Sequence, residues 1–128
     1  MADTVNTQIL LDGPRHTIVK VSALSDGTGL SNSQILDLSA LSPPPDKLVI
    51  EEVWFAVQGY EAVLLETDRT TDHVFVRCSG DGYFDFREYG GVVDKGTGDT
   101  GDLLMTTVGT PVANDTFDIT VKVRKKFN

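Results

Sequence analysis

The chain has 128 residues, of which 40% are hydrophobic and 23% are charged, a size and composition typical of one globular domain and not of a disordered chain. Eleven basic residues against nineteen acidic ones give a net charge of −8, which repels nucleic-acid phosphates and anionic lipid headgroups alike. We therefore expect a single domain over residues 1–128 that binds neither nucleic acid nor a membrane.

The chain carries one cysteine, Cys78, and no familiar targeting signal. A lone cysteine cannot form an internal disulfide, which suits a protein made in a reducing cytoplasm. The first ten residues lack the basic start and apolar stretch of a signal peptide, and no apolar run reaches the roughly 18 residues of a membrane helix. We expect a protein that is made in the cytoplasm and is not exported by the usual route.

Alternation of apolar and polar residues predicts β-strands in the first part of the chain. Two strands are expected at Thr7–Asp12 and Arg15–Leu24, separated by a turn at Gly13 and Pro14. The serine-rich segment Ser31–Leu41 fits either a short strand or a capped helical turn, and we favour the strand.

The longest strand is expected at Lys47–Gln58, after the stiff connector Pro43–Pro45. Its apolar residues change phase at the neighbouring glutamates Glu51 and Glu52. A β-bulge at this point would keep both halves of the strand on one buried face. We expect the densest part of the core here.

The second half of the chain continues the pattern of strands and turns. The polar, glycine-rich segment Asp94–Asp102 is expected to be an exposed loop. In the last strand, alternation directs Lys122 and Arg124 outward. About eight or nine short strands predict an all-β fold, an antiparallel jelly-roll-like β-sandwich. The strands expected in this half are Glu61–Thr67, His73–Cys78, Tyr83–Arg87, Leu103–Val108 and Phe117–Arg124.

Few residues suit nucleophilic catalysis. A nucleophile needs a base within reach, and His16 and His73 are the two histidines of the chain. A pair with Cys78 is conceivable, but no local motif joins them. We interpret Cys78 as a small core residue and both histidines as ordinary strand-end residues.

Two pairs of acidic residues have the composition of a glycosidase site. Glu51 and Glu52 are neighbours on a strand, and neighbours on a strand face opposite sides. Asp81 lies in a turn before Asp85, and the sequence does not give the separation of their carboxylates. We expect these residues to serve solubility, and we expect no catalytic residue and no enzyme activity.

The glycine-rich loop is the segment most similar in composition to a metal site. Asp94, Asp99 and Asp102 offer carboxylates beside backbone carbonyls, which are ligands that calcium prefers. The loop lacks the EF-hand spacing and its closing glutamate, and one cysteine with two distant histidines makes no zinc site. Gly96–Asp99 also lacks the Lys-Ser/Thr of a phosphate loop. We expect neither cofactor nor metal, with calcium in this loop as the open alternative.

Aromatic residues offer a different kind of binding site. Trp54, Tyr60, Tyr83 and Tyr89 would be able to stack on sugar rings, as in lectin-like sandwiches. Aromatic residues make up 8% of the chain, no more than a normal core and rim require. A carbohydrate-binding module is therefore an alternative function.

Basic residues are concentrated near the C-terminal end. Lys122, Arg124, Lys125 and Lys126 fall within the last seven residues, while the rest of the chain is strongly acidic. A dipolar molecule of this kind fits an acidic neighbour at its basic end, including a second copy of itself, although a solvated terminal strand explains the same run.

Three stretches resemble the small β-sandwich virion structural proteins of tailed bacteriophages, the head decoration or cement proteins. They are DGPRHTIVKV near the start, YFDFREYGGVVDKGTGDTGDLLMTTVG in the middle and DTFDITVKVRKK at the end. The resemblance implies a protein of the capsid exterior that binds the major capsid protein, stabilises contacts between capsid subunits and forms trimers or dimers.

Exposed loops and terminal segments commonly make the contacts in proteins of that family. Carried onto this chain, the resemblance implies that the interface includes Thr97, Gly98 and Asp99 of the segment Thr97–Gly101, and the basic residues Lys122, Arg124, Lys125 and Lys126. It also implies contacts from the connector Pro43–Pro45 and from Met1–Gln8. The alternative to decoration is a carbohydrate-binding module or an adhesive protein of a fibre or tail.

Overall fold

The computed structural model describes residues 4–27, 29, 33–41, 43–69, 73–93, 102–109 and 112–127. These ranges contain ten β-strands and two short 3₁₀ helices, Leu38–Ala40 and Arg87–Tyr89. No helix in the described part of the chain is long and apolar enough to cross a membrane. The strands are β1 (Thr4–Asp12), β2 (His16–Asp26), β3 (Ser33–Leu36), β4 (Lys47–Gln58), β5 (Ala62–Thr67), β6 (His73–Cys78), β7 (Asp81–Asp85), β8 (Val92–Val93), β9 (Leu103–Val108) and β10 (Ala113–Lys126).

The strands form two antiparallel sheets. The larger sheet has the order β1-β2-β10-β4-β7, with β8 paired to β4, and the smaller sheet has the order β3-β9-β5-β6. Without β1 and β8, the two four-stranded sheets have the strand order of a jelly roll. The expected all-β jelly-roll sandwich is confirmed.

The core lies between the two sheets and is built from every second residue of the longer strands. In β10, Phe117, Ile119, Val121 and Val123 are buried, while the residues between them are exposed or half-buried. Burying one such side chain contributes about 1.5–3 kcal/mol. The largest fully buried side chains are Phe117, Leu48, Ile50, Leu65, Leu103, Met105 and Ile119.

A β-bulge interrupts β4 at Glu51. Opposite β10, Glu52 pairs with Lys122 and Ile50 pairs with Val123, so Glu51 is an extra residue in β4. Ile50 and Val53 lie on either side of the bulge and are both fully buried. The predicted bulge at the double glutamate is confirmed, and it directs the apolar residues of both halves of β4 into one core.

Strand β1 lies outside the eight-stranded jelly roll, at the edge of the larger sheet beside β2. Its residues from Asn6 to Asp12 are exposed, including Ile9 (47%), Leu10 (50%) and Leu11 (48%). The register with β2 shifts between Ile9 and Leu11, which makes Leu10 an additional residue in the strand. Strand β1 therefore adds little to the core.

Both structures considered for residues 31–41 are present, one after the other. The short strand β3 is followed by Asp37, whose carboxylate accepts a hydrogen bond from the backbone N–H of Ser39 at 3.0 Å. This hydrogen bond caps the 3₁₀ helix Leu38–Ala40. The favoured strand thus covers only the first half of the segment.

Candidate functional site

The segments expected to contact a partner are described only in part. Thr97, Gly98 and Asp99 lie outside the described residues, as do Met1–Asp3. Residues 4–8 form the first half of strand β1, in which Asn6, Thr7 and Gln8 are exposed. In the proline connector, Pro43 and Pro44 are exposed and Pro45 is buried.

Asp102, the last residue of the glycine-rich loop, is buried at the start of β9. One of its carboxylate oxygens accepts a hydrogen bond from Gln34 Nε2 at 2.7 Å, and the other accepts one from the Leu38 backbone N–H at 3.0 Å. These bonds fasten the end of the loop to β3 and the following helix, so Asp102 has a structural role. Asp94 and Asp99 lie outside the described residues. The described residues contain no group of three or more side chains placed to hold a metal ion.

The four basic residues near the end of β10 differ in their surroundings. Lys122 lies 3.7 Å from Glu52, and Arg124 lies 3.3 Å from Glu51, as measured between the charged atoms. Both side chains are partly exposed on the outer face of the larger sheet, which is the face turned away from the core. Lys126 is exposed at the end of the strand.

Lys125 lies on the inner side of the larger sheet, in phase with the buried residues of β10. Its side chain is fully buried, and its Nζ lies 2.7 Å from Asp12 Oδ1. The ion pair with Asp12 compensates the buried ammonium charge, and it ties the end of β1 to the end of β10. Lys125 was expected at an interface, but its ammonium group does not reach the surface.

A patch of positive charge, here called the basic end, consists of Arg15, Lys47 and Lys126. Lys126 lies directly opposite Lys47 in the antiparallel pair of β10 and β4. The backbone carbonyl of Arg15 accepts a hydrogen bond of 2.6 Å from the backbone N–H of Lys125, which precedes Lys126 in β10. The three residues therefore begin or end neighbouring strands at one end of the sandwich, with Asp46 as the adjacent acidic residue. None of the three cations forms an ion pair with another described residue.

The histidines and the cysteine do not combine into a nucleophilic site in the described structure. Cys78 is fully buried in the core, where burial raises the pKa of its thiol to about 12. His16 lies on the outer face, with its Nε2 3.0 Å from Glu51 Oε1. His73 begins β6, and its side chain lies outside the described residues. The interpretation of Cys78 as a core residue is confirmed.

Glu51 and Glu52 both lie on the outer face. Neighbouring residues of a strand are expected to face opposite sides, and this expectation is wrong for Glu51 and Glu52 because the bulge at Glu51 interrupts the alternation. Glu51 contacts His16 and Arg124, while Glu52 contacts Lys122 across the β4–β10 pair. The two side chains are only 10% and 7% exposed. Each carboxylate is held by basic side chains of neighbouring strands.

The contacts of Glu51 and Glu52 are part of a network of charged side chains on the outer face. This network extends from Glu52 to β7 and the second 3₁₀ helix. Tyr83 Oη donates a hydrogen bond to Glu52 Oε2 at 2.8 Å, and Arg87 Nε lies 3.1 Å from Glu52 Oε1. The Arg87 guanidinium also donates two hydrogen bonds to Asp85, each of 3.0 Å. The hydrogen bond to Glu52 raises the pKa of Tyr83 to about 12, and the bonds from Arg87 lower the pKa of Asp85 to about 2. These bonds thus favour the ionised form of Asp85 and the protonated form of Tyr83.

Two aromatic rings are exposed beside this network. Trp54 of β4 and Tyr83 of β7 lie directly opposite one another, with ring centroids 5.3 Å apart and an angle of 23° between the rings. Their residues are 39% and 45% exposed. The bond from Tyr83 to Glu52 fixes the tyrosine, so the two rings form an ordered apolar platform on an otherwise polar surface.

A groove crosses the outer face next to this platform. Two depressions, with volumes of about 440 and 350 Å³, adjoin one another because both are lined by Ala56 and Asp118. The short side chain of Ala56 between Trp54 and Gln58 lowers the surface of β4 at this point. Lys20 and Asp118 form an ion pair of 3.8 Å along the groove and are both about half exposed. We call this the outer-face groove. Its lining comprises Lys20, Ser22, Ala23, Trp54, Phe55, Ala56, Gln58, Asp81, Gly82, Thr116, Phe117, Asp118 and Thr120.

The structure brings two of the four aromatic residues considered from the sequence to the side of the outer-face groove. Of those four residues, Trp54 and Tyr83 form the platform, Tyr60 is buried against Phe117, and Tyr89 is 81% exposed in the second 3₁₀ helix. The polar lining of the groove was not predicted from the sequence. Its members come from four strands, and only the alternation within each strand would have placed them on one face.

Comparisons with known proteins do not assign a family. No known family profile matches the chain, and no curated protein matches it. Among solved structures, the chain is similar to a cupin domain from Bordetella pertussis, with 9% identity, a TM-score of 0.39 and coverage of 98% of this chain and 97% of that one.

Another similar structure is a family 29 carbohydrate-binding module, with 10% identity, a TM-score of 0.38 and coverage of 97% of this chain and 87% of that one. A cupin superfamily protein from Desulfitobacterium hafniense gives 9% identity, a TM-score of 0.38 and coverage of 98% and 81%. Likeness at this level does not identify a function, since one fold serves many. The jelly-roll assignment therefore rests on the strand order of this chain.

Proposed function

We propose that this chain is a bacteriophage capsid decoration protein, which binds the outside of the assembled head and stabilises contacts between major capsid subunits. The observation that carries the proposal is the basic end. Lys47 and Lys126 lie directly opposite one another, and like charges in that position destabilise a pair of strands. A chain with nineteen acidic residues that retains such a repulsion is suited to an acidic partner surface, which would relieve it.

The proposed partner is the major capsid protein, because the three sequence stretches resemble decoration proteins. Two of these stretches, near the start and at the end, contribute Arg15 and Lys126 to the basic end. A capsid offers many identical sites, so weak electrostatic contacts of many copies add up to a stable coat. The function requires no catalytic residue.

The test is co-sedimentation of the purified chain with capsids that lack decoration. Lys126→Glu replaces the repulsion with an attractive pair across to Lys47, so it should leave the fold at least as stable as before while weakening capsid binding. Arg77→Glu makes the same change of charge on the exposed face of β6 and serves as the matched control. We expect Lys126→Glu to weaken binding roughly tenfold and Arg77→Glu to leave it nearly unchanged.

Two results would contradict the proposal. One is a wild-type chain that fails to co-sediment with undecorated capsids at low salt. The other is equal binding by Lys126→Glu and wild type, which would remove the basic end from the interface. Added salt should weaken binding by the wild type, because exposed charges are screened within about 10 Å at 0.1 M.

The outer-face groove favours a second candidate, binding of a glycan by a module or adhesive virion protein. The platform of Trp54 and Tyr83 offers an apolar face to a sugar ring, while Lys20, Gln58 and Asp118 offer donors and acceptors beside it. Binding pockets typically combine apolar surface with a few placed polar groups in this way.

Glycan binding is tested by screening oligosaccharides and measuring the affinity of any that bind by calorimetry. Trp54→Ala removes half of the platform and should reduce the affinity roughly tenfold or more. Tyr89→Ala removes an aromatic ring that is 81% exposed and lies outside the groove, and it should have no effect. Silence across the screen, or equal losses from the two variants, would reject a glycan site in the groove.

A further inference from the structure

Strand β1 is a long edge strand that carries little charge. It has nine residues, and its only described pairing is with β2. Proteins generally keep edge strands short or place charged residues and prolines in them, since an open edge invites another strand. The edge strands β3 and β7 follow this rule, with four residues in β3 and an aspartate at each end of β7. Strand β1, in contrast, has no charged residue before Asp12.

Strand β1 also exposes apolar residues that the core of the jelly roll does not require. Ile9, Leu10 and Leu11 are consecutive and each about half exposed, although the jelly roll forms without them. Exposed apolar residues on an open edge commonly mark a site of association. A partner strand would cover these side chains and would accept the backbone hydrogen bonds that the open edge offers.

We propose that β1 pairs with β1 of a second copy of this chain, antiparallel and across a two-fold axis. This occupant follows from charge. Two copies that each carry a net charge of −8 repel one another over most of their surfaces, whereas β1 brings an uncharged strand against an identical uncharged strand. The proposal does not depend on capsid or glycan binding.

The two-fold arrangement also keeps the acidic ends of the strands apart. In a register centred on Gln8, the middle residue of β1, Leu11 of each copy lies opposite Val5 of the other. Asp12 of each copy then lies at opposite ends of the paired strands, about 27 Å from its counterpart at 3.4 Å per residue. The larger sheets of the two copies become one continuous sheet, which is the self-complementary contact that two-fold symmetry requires.

The proposal is tested by sedimentation equilibrium of the purified full chain. We expect a reversible dimer for the wild type, and an increase in the dissociation constant of about tenfold or more for Ile9→Lys. Val74→Lys is the matched control, because Val74 is 42% exposed on β6, an edge strand of the other sheet. Ile9 is 47% exposed, so its replacement should leave the monomer folded, as circular dichroism would verify.

Mixing two charge variants distinguishes specific pairing of β1 with β1 from non-specific association. Gln8→Lys and Gln8→Glu each place like charges opposite one another in the proposed register, and a mixture of the two places opposite charges there. The mixture should associate more tightly than either variant alone. A wild-type monomer at every concentration, a trimer, a dimer unaffected by Ile9→Lys or a dimer lost on Val74→Lys would each overturn the proposal.

Discussion

At the level of single residues, the two side chains of the Lys125–Asp12 ion pair differ in burial. The lysine side chain is fully buried, whereas 23% of the aspartate side chain is exposed. Removing the partner of a charged group lowers the free energy of unfolding most where water cannot reach the remaining charge. The two halves of the pair are therefore not equivalent.

We predict that Asp12→Asn destabilises the fold more than Lys125→Met does. Asp12→Asn leaves the buried ammonium without a counter-charge and should lower the free energy of unfolding by about 3 kcal/mol. Lys125→Met leaves a partly hydrated carboxylate and an apolar side chain of similar length, with an expected loss of about 1 kcal/mol. Urea unfolding measures both, and Lys126→Met at the exposed next position provides the control. Equal losses from the two variants would contradict the asymmetry.

A pH dependence follows from Asp85. The hydrogen bonds from Arg87 lower its pKa from 3.8 to about 2, so the folded state holds the ionised form more strongly than the unfolded state does. Its contribution to stability is complete above the unfolded value and is lost as the pH falls from about 3.8 towards 2. Asp85→Asn should flatten the fall of unfolding free energy in this range, and Arg87→Gln should do the same. A fall as steep as that of the wild type in chemical denaturation series would contradict the assignment.

The partners of charged residues are the part of the site that the sequence could not predict. Glu51 meets His16 and Arg124, which lie 35 and 73 positions away in the chain, and no local pattern connects them. Lys125 has a simpler explanation. Alternation from Phe117 puts position 125 on the inner side, whereas the resemblance to decoration proteins implies an interface role for its lysine.

At the level of secondary structure, the bulge in β4 is the feature that the sequence predicted most directly. The phase of Leu48 and Ile50 disagrees with that of Val53 and the residues after it, and one extra residue between them resolves the disagreement. The bounds of β4, Lys47–Gln58, agree with the expectation. The two-residue strand β8 was missed because alternation cannot be read from Val92 and Val93 alone.

We predict that β4 tolerates deletion of the bulge residue. Without Glu51, strict alternation places Ile50 and Val53 on the buried face, so the chain should remain folded and unfold cooperatively. The loss of the contacts to His16 and Arg124 should lower stability by about 1–2 kcal/mol. Deletion of Trp54 instead shifts one half of β4 by a residue and turns its apolar side chains outward, so that variant should not fold. Circular dichroism and thermal unfolding distinguish the two, and similar behaviour of both deletions would contradict the role of the bulge.

At the level of the whole molecule, the sequence predicted the jelly-roll type of fold but not the position of every strand. Regular turns and alternating strands indicated a jelly-roll sandwich, and the sheets β2-β10-β4-β7 and β3-β9-β5-β6 confirm it. The alternation of apolar and polar residues in β1 did not indicate that this strand lies outside the eight-stranded jelly roll. The three consecutive apolar residues from Ile9 were the available clue, because a half-buried strand does not need them.

We predict that Cys78 reports on unfolding of the entire sandwich. Its thiol is fully buried, and burial raises its pKa to about 12, so little thiolate forms in the folded state at pH 8. A maleimide reagent should label the folded chain slowly, and labelling should accelerate in step with the loss of circular dichroism as urea is added. Fast labelling without urea would show that β6 opens independently of the core.

The ion pair that ties Asp12 to Lys125 has a mechanical consequence for strand β1. Strands β1, β2 and β10 are antiparallel neighbours, so tension along β1 is carried by all of its backbone hydrogen bonds to β2 together. The ion pair bridges past β2 to the central strand β10 and shares that load with the core. A force that pulls β1 along its own axis would thus load the pairing of β1 with β2 in shear, the direction in which paired strands resist separation best.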